Sequence, residues 1–426
     1  MARDSVRRRT SELRRTFHQY PEPSWCEFHT TGRIVDELEG IGVDEIHLGS
    51  DALDPEGRMG LPSADELETW HRRAADRGTR EDVLDRAEGG LTGAVAVLER
   101  GDGPTVGLRV DIDALPITES TDPAHVPAAE GFRSENEGYM HACGHDAHTT
   151  IGLGVVEAVR ESDFAGTLKV FFQPAEEVLG GGRQMARTRH VEDVDHFFAV
   201  HVGLNHPSGE VVAGADRPLS VRQLDARFTG ESAHAGLSPN RGRNAMHAAA
   251  AATENLYGIP RHEDGLTRVN VGRIEGGTAC NIVAESVEME LEVRGGTDDL
   301  RDYVGDHADR ILRTAAEMHD CDVETEVVAE GPREDSDDAL RAVVGEVARE
   351  IDGVDSVVPA APFGASEDAT YLMRAVKERG GTATFVVVGT DHPGSHHSPT
   401  FDVDESSVDV GIDVLAGAIG RLGGSD

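Results

Sequence analysis

Four short apolar runs punctuate the chain: "TVGLRV" from Thr105, "TLKVFFQ" from Thr167, "HFFAV" from His196 and "TATFVVVG" from Thr382. None alternates apolar with polar residues, which is the pattern of strands buried on both faces of a parallel sheet. Each run is followed at once by a polar cluster: Asp111-Ile-Asp113, then "PAEE", then His201, then "TDHPGSHHSP". Helical periodicities such as "HTTIGLGVVEAVRES" and "ASEDATYLMRAVKERGG" lie between them. Strands alternating with helices predict an α/β domain, a largely parallel sheet flanked by helices, in which ligands gather beyond the carboxyl ends of the strands. The four polar clusters therefore converge on one potential site.

Between residues 216 and 331 the pattern changes to strand "SVRQLDARFTG", helix "NRGRNAMHAAAAATENLYG", strands "TRVNVGRIEGG" and "SVEMELEVRGG", helix "DDLRDYVGDHADRILRTAAEMH" and strand "DVETEVVAE". That order, βαββαβ, is ferredoxin-like. It predicts a domain 216–331 inserted into a first domain formed by residues 1–215 and 332–426. Residues 51–90 read as a polar helical insertion that covers a surface or rims a pocket.

A length of 426 residues suits two domains, each with its own core. Acidic residues number 79 against 40 basic ones, a formal net charge of -39, and only Lys169 and Lys377 are lysines. Such a field repels phosphate, so neither nucleic acid nor an anionic membrane is expected as a partner. The charges are interspersed with well-formed apolar runs, which indicates a folded protein with an acid-coated surface, as in organisms with salt-rich cytoplasm. No apolar run is long enough for a membrane span, and the basic N-terminus lacks the apolar stretch of a secretory signal, so a cytoplasmic location is expected. Cys26, Cys143, Cys280 and Cys321 are far apart and form no CxxC pair, so reduced thiols are expected.

The string "MHACGHDAHTT" (140–150) places Cys143 and His145 two residues apart, able to point to one side of a short loop. Taken alone, Cys143 reads equally well as a buried thiol. His141 and His148 fit a helix start or the orientation of ligands better than direct coordination. The doublet Glu176-Glu177 is harder to dismiss, because adjacent buried carboxylates repel unless a metal or a proton neutralises one of them. A division of labour would leave one to bind metal and the other to move a proton; a solvated helix start is the alternative. His201 could equally be a core histidine, and "DHPGSHHSP" offers His392, His396 and His397.

The strings "RVDIDALP", "MHACGHDAHT", "FFQPAEE", "HVG", "SAHAGLSP", "GGTACNIVAESVEMELEVRG", "SED" and "HHSPTFDVDE" occur here in one order over nearly the whole chain. In this the sequence resembles the amidohydrolase branch of the aminoacylase/carboxypeptidase type of dinuclear metallohydrolases. With "RMGLPS" and "PAAEGFRSENEGYMHACGHD" it looks most like the aminobenzoyl-glutamate hydrolase A-type group within that branch. The resemblance implies two divalent ions, zinc or manganese, held by Cys143, His145, Glu177, His201 and His397. It leaves open whether His396 contributes. It implies Glu176 as general base, Asp111 and Asp113 as carboxylates that orient ligands, His234 at the developing oxyanion, and Asn281 and Arg294 at the substrate. The inserted domain would then act as a lid and dimerisation domain, giving a homodimer or a dimer with a related subunit. One departure is Ala369, where the family often has phenylalanine after "SED".

The implied activity is hydrolysis of the amide bond of an N-acyl or aryl-amide amino acid, of which an aminobenzoyl-glutamate is the specific expectation. A dipeptidase or carboxypeptidase on the same fold is the alternative, but those relatives use a His-x-Asp string where this chain has Cys-x-His. A metal-binding relative without catalysis would not need the intact glutamate pair. A Cys143 nucleophile would leave Glu176, Glu177 and His201 without a task.

Overall fold

The computed structural model describes residues 2–392 and 394–424. The chain divides into two compact units. The first comprises the chain up to Asp216, Glu334–Phe363 and everything from Asp368, and the second comprises Arg217–Arg333 with Gly364–Glu367.

The first unit is built on an eight-stranded sheet. Its middle consists of Thr167–Gln173, Thr105–Asp111, His196–Val202 and Thr382–Val388 in that spatial order, all parallel. Antiparallel pairings flank them: Ala94–Glu99 beside Thr167–Gln173, and Glu210–Val212 beside Thr382–Val388. The four runs lack alternation because both of their faces are covered. Leu168, Val170, Phe172, Phe198 and Val200 belong to one core layer, while Phe171, Phe197 and Ala199 belong to the other. Helices His145–Glu161 and Glu405–Gly423 close the first layer. Helices Ala64–Asp76 and Ala369–Glu378 help to close the second, with Trp70, Leu372 and Met373 buried. The polar insertion thus contributes core: helix Ala64–Asp76, capped by the Ser63 hydroxyl accepting Glu66 N–H, directs Leu67, Trp70 and Ala74 inward.

Parallel pairing puts the carboxyl ends of the central strands on one edge. Asp111 lies opposite Gln173, and His201 opposite Val387, so the polar clusters of the sequence emerge together.

The second unit is a four-stranded antiparallel sheet in the order Asp322–Gly331, Ser220–Thr229, Ser286–Gly295, Thr267–Gly276, with helices Ala245–Tyr257 and Asp298–Met318. This is the ferredoxin-like arrangement. Here the strands do alternate, with Leu224, Ala226, Phe228, Met289, Leu291 and Val293 packed under the helices and Asp225, Arg227, Glu288 and Glu290 on the open face. Among the described residues no helix is long and apolar enough to cross a membrane. All four cysteines are free, and only Cys280 is exposed.

Candidate metal centre

Three turns at the carboxyl edge of the parallel strands hold residues in the left-handed backbone region: Gly144 at φ +91°, Ala175 at +55° and His397 at +60°. Gly144 separates Cys143 from His145 and opens the helix His145–Glu161. A Cβ there would lie 2.6 Å from Val202, so only glycine lets the loop press against the His196–Val202 strand while turning Cys143 and His145 to one side. Ala175 swings the chain off the Thr167–Gln173 strand so that Glu176 and Glu177 follow in succession. His397 is anchored by its own N–H to Ala142 O at 2.8 Å, directly beside Cys143.

The side chains converge. Ligand-competent atoms of Cys143, His145 and His201 lie within 4.8 Å of one another, and the same holds for Cys143, Glu177 and His397 and for His145, Glu176 and Glu177. Individual separations are 3.5 Å from Cys143 Sγ to His201 Nε2, 3.8 Å from His145 Nε2 to Glu177 Oε1 and 3.7 Å from His397 Nε2 to Glu177 Oε2. Ligands about 2.0–2.3 Å from one ion stand roughly 3.5 Å apart in tetrahedral geometry. The two carboxylate oxygens of Glu177 therefore face one histidine each, and Cys143 belongs to both sets.

The two buried histidines of the cluster sit in different environments. His201 Nδ1 donates to Val202 O at 2.7 Å, which leaves the Nε2 lone pair outward, and burial, assisted by His148, holds its pKa well below 6.5. His145 Nδ1 is 2.9 Å from Asp113 O and 3.2 Å from Asp113 Oδ1, and its buried Nε2 has no hydrogen-bond partner. A buried imidazole nitrogen left in that state fits a metal ion. Burial opposes charge on His145, but Asp111, Asp113 and Cys143 outweigh it and raise its pKa well above 6.5. Burial, followed by Glu177, pushes the Cys143 thiol well above its ordinary value. An acid-rich pocket of histidine, thiol and carboxylate is a donor set suited to a divalent cation.

The orienting carboxylates also stand out. Asp111 Oδ1 meets His148 Nδ1 at 2.5 Å and Oδ2 accepts Arg109 Nη1 at 2.8 Å. His148 Nε2 accepts Val202 N–H at 2.8 Å, so both ring nitrogens are engaged within the protein. Asp113 Oδ2 accepts the Ser24 hydroxyl at 2.6 Å and Glu177 N–H at 3.1 Å, tying His145 to Glu177. His396 lies with Nε2 3.3 Å from Val202 O and its ring 4.7 Å from that of Phe401. Among the described residues neither His396 nor His141 joins a candidate ligand group.

His234 and Asn281 lie on neighbouring exposed segments of the second unit, bridged by Ala235 N–H to Asn281 O at 2.9 Å. Arg294 is not beside them. It occupies the far end of Ser286–Gly295, roughly 26 Å along the strand from Ser286 at about 3.3 Å per residue. There its guanidinium is held by both oxygens of Glu292 at 2.9 Å.

The supporting residues that sequence reading missed come from the N-terminal segment. Arg14 Nε donates to Asp146 Oδ2 at 2.7 Å and Nη2 to Asp402 at 2.5 Å, while His18 bridges Asp146 and Glu119 at 2.9 Å each. All are buried, and Asp146 is the residue after His145. In the sequence Arg14 is one of several arginines in a basic N-terminal string, with no signal that sets it apart. The insertion loop also reaches this region: Trp25 Nε1 donates to Met59 O, and Gly60 abuts Val178, next to Glu177.

Residues 107–421 match the model of peptidase family M20/M25/M40. The chain is 40% identical to the A-type chain of the p-aminobenzoyl-glutamate hydrolase of Escherichia coli K12 over 418 residues, covering 97% of this chain and 95% of that one. It is likewise 40% identical to the indole-3-acetyl-aspartic acid hydrolase of Enterobacter agglomerans over 411 residues, 95% and 94% of the two chains. Among solved structures, the aminobenzoyl-glutamate utilization protein of Klebsiella pneumoniae superposes with a TM-score of 0.82 at 34% identity, covering 98% of each chain.

Proposed function

The chain belongs to peptidase family M20/M25/M40 and is an amidohydrolase, and from that premise we propose that it hydrolyses the amide joining an aryl or acyl group to an acidic amino acid, with an aminobenzoyl-glutamate as the substrate of choice. The observation that carries this reading is the convergence of Cys143, His145, Glu176, Glu177, His201 and His397 at one strand edge. Cys143, His145, Glu177, His201 and His397 would hold two divalent ions, zinc or manganese, which when bound supply Lewis-acid polarisation of the carbonyl and lower the pKa of a water.

Glu176 carries the proton. It stands 3.9 Å from His145 Nε2, close to the ligand set, and its side chain is about nine-tenths buried. It takes a proton from the attacking water and returns it to the departing amine, so that the amine leaves neutral. Asp111 and Asp113 keep the ligand rings aimed, through His148 and His145. His234 would donate to the carbonyl oxygen as negative charge develops on it.

The α-carboxylate would be met by Asn281 and by Arg294, which exchanges Glu292 for the substrate. Asn281 precedes the strand Ser286–Gly295 and Arg294 sits near its far end, so a second copy or a related chain would let one residue of each kind reach a single ligand. The uncovered edge strand Thr267–Gly276 supports such a pairing. Two of the relatives are named for conjugates of glutamate and of aspartate, which supports an acidic amino acid as the leaving group.

The test is Glu176→Gln, assayed across a range of salt concentrations against aryl-glutamate, acyl-aspartate and dipeptide amides with zinc or manganese supplied. Turnover should fall by about a hundred-fold to ten-thousand-fold with metal content unchanged; a variant as fast as the parent overturns the mechanism. Preference for dipeptides would instead favour a peptidase. Full activity of the chain by itself would favour a homodimer over a need for a second kind of chain.

A further inference from the structure

Glu27 is fully buried, yet it lies outside every candidate ligand group. Its Oε1 accepts the backbone N–H of Ala175 at 2.8 Å, and its Oε2 accepts the Thr92 hydroxyl at 2.6 Å. Ala175 is the left-handed residue that turns the chain off the strand, and the next residue is Glu176. A residue with a Cβ holds that conformation only when its surroundings impose it. The turn is closed on its other side by Gly180 N–H to Ala175 O at 2.9 Å.

Glu27 is itself immobilised. Its carbonyl accepts Thr31 N–H at 2.9 Å and the Thr31 hydroxyl at 2.6 Å, and that hydroxyl in turn accepts Gly93 N–H at 2.8 Å. It thereby joins the first turn of helix Phe28–Ile41 to the start of strand Ala94–Glu99. Three residues earlier, Ser24 donates to Asp113, which accepts Glu177 N–H. One short segment, Ser24 to Glu27, thus grips both sides of the Ala175-Glu176-Glu177 turn.

We propose that Glu27 is a positioning residue for the reaction: by holding Ala175 N–H it fixes the left-handed turn and with it the aim of the Glu176 carboxylate. Glu27 touches neither substrate nor metal. The proposal rests on Glu176 as the general base, and misaiming a reacting group by about 1 Å costs on the order of a hundred-fold in rate.

The experiment is a double-mutant cycle on the metal-loaded enzyme. Glu27→Ala should lower kcat by about 10- to 100-fold, with KM and metal content within about twofold of the parent. Glu27→Gln should restore most of the rate, because its amide oxygen can still accept Ala175 N–H. Glu27→Asp, one methylene too short, should not. On the Glu176→Gln background, Glu27→Ala should cause no further loss. The proposal is overturned if Glu27→Ala keeps the parent kcat, loses rate only in step with metal, or loses the same factor on both backgrounds. Should the alanine variant not fold, Glu27→Asp and Thr92→Val carry the same test, with a smaller fall in kcat expected for Thr92→Val, and an unchanged kcat in both overturns the proposal. A Glu176→Gln enzyme with full rate overturns the base assignment and this role with it; an inert Glu176→Gln beside an unaffected Glu27→Ala overturns this role alone.

Discussion

The two units use their acidic residues in opposite ways. In the first, Glu22, Glu27, Asp111, Asp113, Glu119 and Asp146 are all buried, together with Arg14, His18 and Arg109. In the second, the buried charged residues are Arg301 and Glu367, while Asp225, Glu288, Glu290, Glu324 and Glu326 stand exposed on the strands. Burying a charge is costly unless it is paired and hydrogen-bonded, and in the first unit Asp111, Asp113 and Asp146 meet that condition beside the candidate ligands. The second unit follows the ordinary alternation of a half-covered sheet, and its acidic face contributes solubility. One highly acidic chain therefore contains carboxylates that orient and carboxylates that merely coat.

Breaking a member of the buried frame should show the largest effect on folding. Arg14→Met leaves Asp146 and Asp402 without their guanidinium partner, and such a loss costs about 3–5 kcal/mol. Urea unfolding of the variant should show it, and metal should bind more weakly because Asp146 adjoins His145; an unchanged midpoint would mean that the frame is not structural. His18 sharpens the same point through pH. Burial alone would lower its pKa, but Asp146 and Glu119 outweigh burial and raise it to about 9. A raised pKa means that its stabilisation is complete below about 6.5 and is lost as the pH climbs through about 9. Burial of Glu22, which pushes its pKa up to about 7, acts in the same direction between about 4.5 and 7. Unfolding followed from about pH 6 to 9.5 should therefore show stability falling with pH, and His18→Gln should flatten the upper part of that slope. The smallest effect belongs to the second unit. Thr297 caps the helix Asp298–Met318 by accepting Leu300 N–H, and Thr297→Ala should cost about 1 kcal/mol in thermal unfolding with kcat unchanged.

The same contrast separates what was legible in the sequence from what was not. The central strands could be read because burial on both faces leaves an unbroken apolar run, and the second unit because its elements follow one another in a βαββαβ order. Glu177, His201 and His397 stood out as candidates because each lies in a polar cluster that directly follows such a strand, and Cys143 and His145 because they stand two residues apart in "MHACGHDAHTT". Geometry added distinctions that spacing could not make. His148 is engaged at both nitrogens, and His396 turns to Val202 O while His397 turns to Glu177. The supporting frame left hardly any trace. Arg14, Ser24 and Glu27 act on residues 132, 89 and 148 positions away, and nothing in "RRTFHQYPEPSWCEF" distinguishes a polar residue that will be buried from one that will be solvated.

The insertion also has a consequence for the order of events during synthesis. Cys143, His145, Glu177 and His201 are translated before the second unit, and His397 only after it. Chains emerge from the N-terminus at about 5–20 residues per second, so the last donor follows His201 by roughly ten seconds or more. Until Thr382–Val388 is made, the nascent chain holds these four candidate donors without the strand that pairs beside His201. Completion of the candidate centre would thus be a late step, after the chain returns from the second unit.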